Sequence, residues 1–321
     1  MSTPRSPRRR LAAAALAAGA SLAALAAAGP AAAQGTGVTL YGRVDLNVTK
    51  FSGGPWEMTQ TSTSRIGLRG TEPLGSGWAA IFQFESRINP DTGTTEAAFW
   101  GRESWVGMRG PLGTLRLGRT LTPAQRIASN YDPHGTDGIG SFGSGGLLIS
   151  TSPLARFDDG VYFETPKLAG FSVFAGVQLD DKINTADDRF TSIRLRYEAG
   201  PLDLSLGHAD LSPGNRVASV GGAYAFGGVK PMFQFHTGRR NGGERSTWLV
   251  GVVARLGSGE LRAATSRNDD RSSADIDRTL TAVGYDHPIS KRTLVYGTVA
   301  RDRTSGAKAS NGFELGIRHG F

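Results

Sequence analysis

Five histidines and no cysteine limit the chemistry open to this chain of 321 residues. Without thiols there is no disulfide, thiol nucleophile, iron–sulfur centre or Cys-ligated zinc. His134, His208, His236, His287 and His319 stand apart, none in a G-x-S-x-G setting or beside a second histidine at metal-binding spacing. A hydrolase would need a Ser–His pair braced by a third polar group, and no stretch offers that grouping. The glycine-rich piece 226–228 lacks the Lys and Ser/Thr of a phosphate loop. The sequence therefore implies no cofactor and no metal, and it argues against an enzyme. Arginine is abundant and spread singly: Arg43, Arg65, Arg69, Arg116, Arg194 and Arg196 each alternate with apolar residues. Arginines at alternate positions can line a water-filled surface and set an electrostatic field there.

The elements that would hold them have a period of two. In residues 38–48, Val38, Leu40, Val44, Leu46 and Val48 fall on one face, and Thr39, Tyr41, Arg43, Asp45 and Asn47 on the other. Arg194 and Arg196 lie opposite Ile193, Leu195 and Tyr197, and the chain ends with Phe313, Leu315, Ile317 and Phe321 on one parity. No convincing run at helical spacing follows Gln34. Short turns, such as 110–113 and 198–201, alternate with longer polar stretches at 50–60, 89–96, 119–155, 180–188, 211–216, 239–244, 268–277 and 302–310. Seven short and eight long connections imply sixteen strands, with both termini at the short-turn end so that the sheet can close. This predicts an all-β fold, a 16-stranded antiparallel transmembrane β-barrel whose apolar face meets lipid and whose polar face lines water. A soluble repetitive β protein would not carry charge on the polar face of nearly every strand.

Residues 1–33 read as a cleaved leader: Arg5, Arg8, Arg9 and Arg10, then an Ala/Leu stretch and a small-residue cleavage site at Ala31-Ala32-Ala33. The barrel would occupy 34–321. Of the 36 basic residues the leader holds four and no acid, so the mature chain carries 32 against 28 acidic residues rather than the formal net +8. With export and no clustered basic stripe, nucleic acid is excluded as a partner.

VTLYGRVDLN at 38–47, SRIGLRGTEPLGSG at 64–77, GTLRLGRT at 113–120 and the ending GIRHGF at 316–321 resemble the general porins of Gram-negative outer membranes, the betaproteobacterial branch above all. The resemblance spans essentially all of 34–321. It implies an outer-membrane homotrimer in contact with lipid and lipopolysaccharide. Each barrel would be a passive path for small hydrophilic solutes and ions, narrowed by an inward-folded third long loop. It also implies that the C-terminal Phe321 is read by the outer-membrane insertion machinery.

The longest connection, 119–155, is rich in glycine (Gly135, Gly138, Gly140, Gly143, Gly145, Gly146), which suits a segment packed tightly on an inner wall. The family's acidic loop tip corresponds here to Tyr131-Asp132-Pro133-His134-Gly135 followed by Asp137, with His134 where an acid is usual. The carry-over places the basic wall of the constriction at Arg43, Arg65, Arg119 and Arg156, opposite Asp132, Asp137 and Asp158. Parity supports Arg43, Arg65 and Arg156, whereas Arg119 shares parity with Leu115 and Leu117. Weak anion selectivity is expected, strengthening below pH 6 as His134 protonates. A substrate-selective porin for organic acids, phosphate or sugars stays open, and an outer-membrane hydrolase barrel is the enzymatic rival. Tyr41, Trp105 and Tyr162 are candidates for inward-facing aromatics.

Overall fold

A computed structural model describes residues 37–142, 155–179, 190–211, 214–240, 242–271 and 276–321. The expected leader and the loop glycines Gly143, Gly145 and Gly146 lie outside the described residues. Among the described residues eighteen strands form in chain order. The first nine are β1 (Gly37–Phe51), β2 (Trp56–Thr59), β3 (Arg65–Gly75), β4 (Trp78–Asn89), β5 (Thr94–Thr95), β6 (Glu103–Gly110), β7 (Gly113–Leu121), β8 (Arg156–Glu164) and β9 (Phe171–Gln178). The others are β10 (Thr191–Ala199), β11 (Leu202–Asp210), β12 (Arg216–Tyr224), β13 (Val229–Arg240), β14 (Gly243–Leu256), β15 (Gly259–Arg271), β16 (Arg278–Pro288), β17 (Thr293–Thr304) and β18 (Ser310–Gly320). β2 and β5 are short ribbons inside the first two long loops. The other sixteen run antiparallel to their neighbours, and β18 pairs back onto β1, closing the barrel. Closure matters because an open strand edge in lipid would leave backbone groups unpaired.

The two faces differ as the alternation requires. On β1, Val38 and Leu40 are 67% and 58% exposed on the outside, while Asp45, Asn47 and Thr49 are buried on the inside. Inward polar groups satisfy one another. Asp45 accepts from Arg318 Nε at 2.7 Å, from the Ser62 backbone at 3.0 Å and from the Tyr296 hydroxyl. The chain end completes the ring: Phe321 and Gly42 exchange backbone hydrogen bonds of 3.1 and 3.2 Å, and the Phe321 ring stands over Gly42.

Two details depart from the sequence reading. The stretch 239–244, expected as a long loop, is a tight connection with Arg240 paired to Gly243, because its polar residues continue the strand alternation beyond the apolar band. Between β7 and β8 the register shifts at Gly118/Thr120, with Gly118 at φ +122° and Asp159 at φ +48°. Such a bulge inserts residues that break the inside/outside alternation.

Candidate functional site

The segment after β7 begins with a helix that the sequence reading missed, α1 (Pro123–Asn130). Thr122 caps it, its Oγ1 accepting from the Gln125 backbone at 3.2 Å, and Pro123 opens the first turn. Ala124, Ile127 and Ala128 form a fully buried stripe at i, i+3, i+4 spacing. This stripe lies against β9 to β12 on the inside of the barrel. The Ala124 backbone donates to Ser192 Oγ at 3.0 Å, and the Tyr131 hydroxyl donates to Asp203 at 2.7 Å. Gly221 lies under Tyr131, where an added Cβ would stand 2.3 Å from the ring. Further along, Pro133 O accepts from Arg262 at 3.1 Å, and the Ile139 backbone donates to Glu314 at 3.4 Å. The third loop thus touches inward side chains from β10 round to β18.

Asp132 organises this crossing. Its carboxylate accepts from the backbones of His134 at 2.8 Å, Thr136 at 3.1 Å and Phe142 at 3.1 Å. Only 5% exposed, it works as a loop brace rather than as a pore charge, and burial pushes its carboxyl up to about 6. His134 is also sequestered. Burial, and then the Arg262 guanidinium, push its imidazole down to about 4. The expected gain of charge below pH 6 is therefore corrected: His134 stays neutral until about pH 4.

The opening left beside the loop is a cavity of about 180 Å³. Arg87, Arg102 and Arg156 face Asp137 there, with Gln125 and Thr136 from the loop. The nearby carboxylates are Glu85, which receives Arg102 at 2.6 Å and Arg65 at 3.3 Å, and Glu103, which lies 3.9 Å from Arg156. Burial raises the Asp137 carboxyl, against the pull of Arg102, Arg87 and Arg65. A second cavity, of about 560 Å³, adjoins Leu121 toward the short-turn end and gathers Arg69, Arg109, Arg116 and Arg126 around Glu103.

The expected site residues separate into three groups. Arg43 and Arg65 are register partners on one inward face, Arg43 bonding Ser62. Arg156 and Asp137 line the cavity, whereas Arg43 and Arg65 do not line it but lie within electrostatic reach of Asp137; Asp132 is buried within the loop. Arg119 and Asp158 do not line the cavity. They pair with each other at 2.5 Å, and Arg119 also donates to Gly101 O at 2.7 Å. The register sets Arg119 opposite Ser104, on the outward parity, while inward Thr120 faces Phe157. The parity that linked Arg156 to Tyr162 fails for the same reason. Phe157 takes the inward place and stacks on Tyr162 at 6.2 Å. Arg156 reaches the opening from beside it, its Nε donating to Arg102 O at 2.6 Å. Sequence reasoning missed Arg87, Arg102, Glu85 and Glu103. The alternation Phe82-Gln83-Phe84-Glu85-Ser86-Arg87 carried the signal for two of them.

The chain's relatives share this architecture. The model of the Gram-negative porin family matches residues 12–307. Outer membrane porin protein 32 of Delftia acidovorans is 32% identical, over 94% of this chain and 98% of that one. An outer membrane porin protein of Bordetella pertussis is 27% identical, over 98% of this chain and 100% of its own length. Among solved structures, an anion-selective porin from Comamonas acidovorans superposes with a TM-score of 0.80 at 28% identity, covering 89% of this chain and all of that one. The trimer form of OmpT from Vibrio cholerae gives 0.72 at 17% identity, covering 90% of this chain and all of that one, a likeness of fold. With a closed sixteen-stranded barrel, a polar interior and relatives matched along nearly their whole length, the chain belongs to the Gram-negative porin family and is an outer-membrane channel.

Proposed function

We propose that this channel passes small hydrophilic solutes by diffusion and favours anions, with the constriction formed by Arg43, Arg65, Arg87, Arg102 and Arg156 opposite Asp137. One observation carries the reading: three guanidinium groups and one carboxylate line the narrow cavity. Fixed charge in a low-dielectric channel concentrates the opposite ion. The anion selectivity of the Comamonas porin agrees with it. A sugar slide is less well supported. The Arg116 guanidinium stands over the Trp105 ring, 5.5 Å from its centroid, and that of Arg69 over the Tyr41 ring at 5.1 Å, so these two inner-wall aromatics do not offer a free face. The test is the reversal potential of the reconstituted channel in a KCl gradient. Chloride preference is expected, larger at 0.01 M than at 0.1 M because the Debye length grows from about 10 to about 30 Å. Preference for potassium would falsify the proposal.

The same reading includes removal of residues 1–33 on export, assembly of three barrels, and recognition of Phe321 by the insertion machinery. Deleting Phe321 should lower the folded barrel in outer-membrane fractions far more than it lowers export, read by heat-modifiable gel mobility. Equal folded yields would refute that role.

A further inference from the structure

Many inward arginines of this barrel meet a carboxylate. Arg65 and Arg102 reach Glu85, and across the lumen Arg262 reaches Asp286 at 2.9 Å and Arg318 reaches Asp45 at 2.7 Å. The cavity of about 560 Å³ on the short-turn side of the loop is built differently. Arg69, Arg109, Arg116 and Arg126 line it together with a single acid, Glu103. Arg116 reaches Glu164 at 3.0 Å, but among the described residues Arg69, Arg109 and Arg126 have no carboxylate partner. Ring faces hold two of these three instead. The Arg69 guanidinium stands 5.1 Å from the Tyr41 centroid, and that of Arg126 stands 4.5 Å from the Phe174 centroid with its Nε buried and unbonded. A ring face holds a guanidinium in place without cancelling its charge. Arg69 and Arg109 are exposed to the lumen on the inward parity of β3 and β6.

We propose that this cavity binds a compact solute bearing two phosphoryl groups, held between Arg69, Arg109 and Arg126. The unpaired charge selects the class. Three guanidinium groups without acids call for more than the two charges of a dicarboxylate, whereas each phosphoryl group brings up to two charges and three acceptor oxygens. The paired donors of arginine match phosphate oxygens, and Thr71 and Thr114 add hydroxyls to the lining. Size agrees as well. A volume of about 560 Å³ suits a small ligand, whereas the 180 Å³ opening beside the loop is below the usual range of such pockets. Guanidinium groups already fixed on ring faces lose little freedom when the ligand arrives. The inference deepens the anion-favouring reading of the pore, on which it rests, by giving one class of anion a place to stay instead of only a path.

The test uses the full mature barrel in a planar bilayer. Millimolar inorganic diphosphate should interrupt the wild-type chloride current for resolvable times, and succinate at the same concentration should do so roughly tenfold more briefly, having fewer charged oxygens to pair. Arg69→Gln with Arg109→Gln should shorten the diphosphate interruptions roughly tenfold through the loss of two charge-assisted contacts. Arg126→Gln should shorten them too, and because the strand pair leaves α1 untouched, its result stands even where Arg126→Gln unseats the loop. Arg69→Lys with Arg109→Lys should fall between, keeping the charge and losing the paired donors. A wild-type current that diphosphate never interrupts would overturn the site, as would interruptions of equal length in the strand pair. Succinate held as long as diphosphate would overturn the phosphoryl class. None of these outcomes touches the pore's anion preference, which falls on a separate observation, a potassium preference recorded without diphosphate.

Discussion

The two halves of the barrel interior are built from opposite materials. From β9 to β12 the wall under α1 is largely small or apolar, with Phe174, Ile127, Ala124 and Ala128 essentially inaccessible, and its charges are buried or paired, as Arg196 is with Asp203 at 2.7 Å. From β1 through β8 the inner wall is a lattice of arginines and carboxylates, open to solvent in two cavities. The first half is packed like a protein core, and the second behaves like a wet surface. The contrast teaches that the opening is narrow because one side is filled, while its field comes from the other side. Charge under the helix, such as Arg194 at 4% exposed, is removed from the path.

Unseating the packed half should have the largest effect. Gly221→Leu places a side chain where Tyr131 stands, 2.3 Å from a bare Cβ, and Ile127 at 3.1 Å offers no escape. The loop must lift. Single-channel conductance and the size of sugars admitted in liposome swelling should both rise well above wild type. Unchanged values in a folded barrel would mean that the loop does not set the width.

The next effect separates the halves by charge. Replacing Arg87, Arg102 and Arg156 together by Gln should abolish most of the chloride preference, while Arg194→Gln should leave it nearly intact. Reversal potentials in a KCl gradient decide the matter. Equal shifts from the two changes would erase the distinction between the halves.

Much of this contrast was legible in the sequence, and the rest failed for definable reasons. The alternation of short and long connections gave the strand number, and period-two alternation gave the faces of β1 and β3, because a residue's side of the sheet follows from counting. Counting broke for Arg156, where the bulge at Gly118 and Asp158-Asp159 shifts the alternation; for Arg119 parity already gave the outward side, and only the carried-over family pattern put it in the constriction. The helix was missed although Thr122-Pro123 and the Ala124, Ile127, Ala128 spacing mark it; one short amphipathic helix is easily hidden in a glycine-rich loop. The roles of Asp132 and His134 were illegible. Whether a polar loop residue faces the pore or the wall depends on contacts with β14, β16 and β18, which are distant in sequence.

A smaller effect should follow from trimming the helix without blocking its seat. Ile127→Ala removes a fully buried side chain from the packed half, and such truncations cost about 2–5 kcal/mol where the surroundings cannot collapse. The loop should stay seated most of the time but open more often. Excess current noise in the open state, with little change in mean conductance, is the expected record. Noise equal to wild type would indicate that the polar ties of Ala124 to Ser192 and of Tyr131 to Asp203 hold α1 without that side chain.

The smallest effect is a pH dependence that the wild type hides. A seated loop holds His134 near 4, below its ordinary 6.5, so between these values the lifted loop takes a proton that the seated loop refuses. Seating therefore weakens as pH falls through that window. Asp132 acts in the opposite sense: its seated carboxyl titrates near 6, above the ordinary 3.8, so the seated loop takes the proton first and seating strengthens as pH falls from 6 to 4. The two contributions oppose each other over the same range, so wild-type current noise should be nearly flat from pH 7 to 4. Removing one of them exposes the other. His134→Gln should make the channel quieter as pH drops from 6 to 4, while Asp132→Asn, which keeps a side-chain acceptor in place, should make it noisier from 6.5 downward. Flat profiles in both variants would mean that neither group senses whether the loop is seated, and that the burial assigned to the packed half does not extend as far as Asp132 and His134.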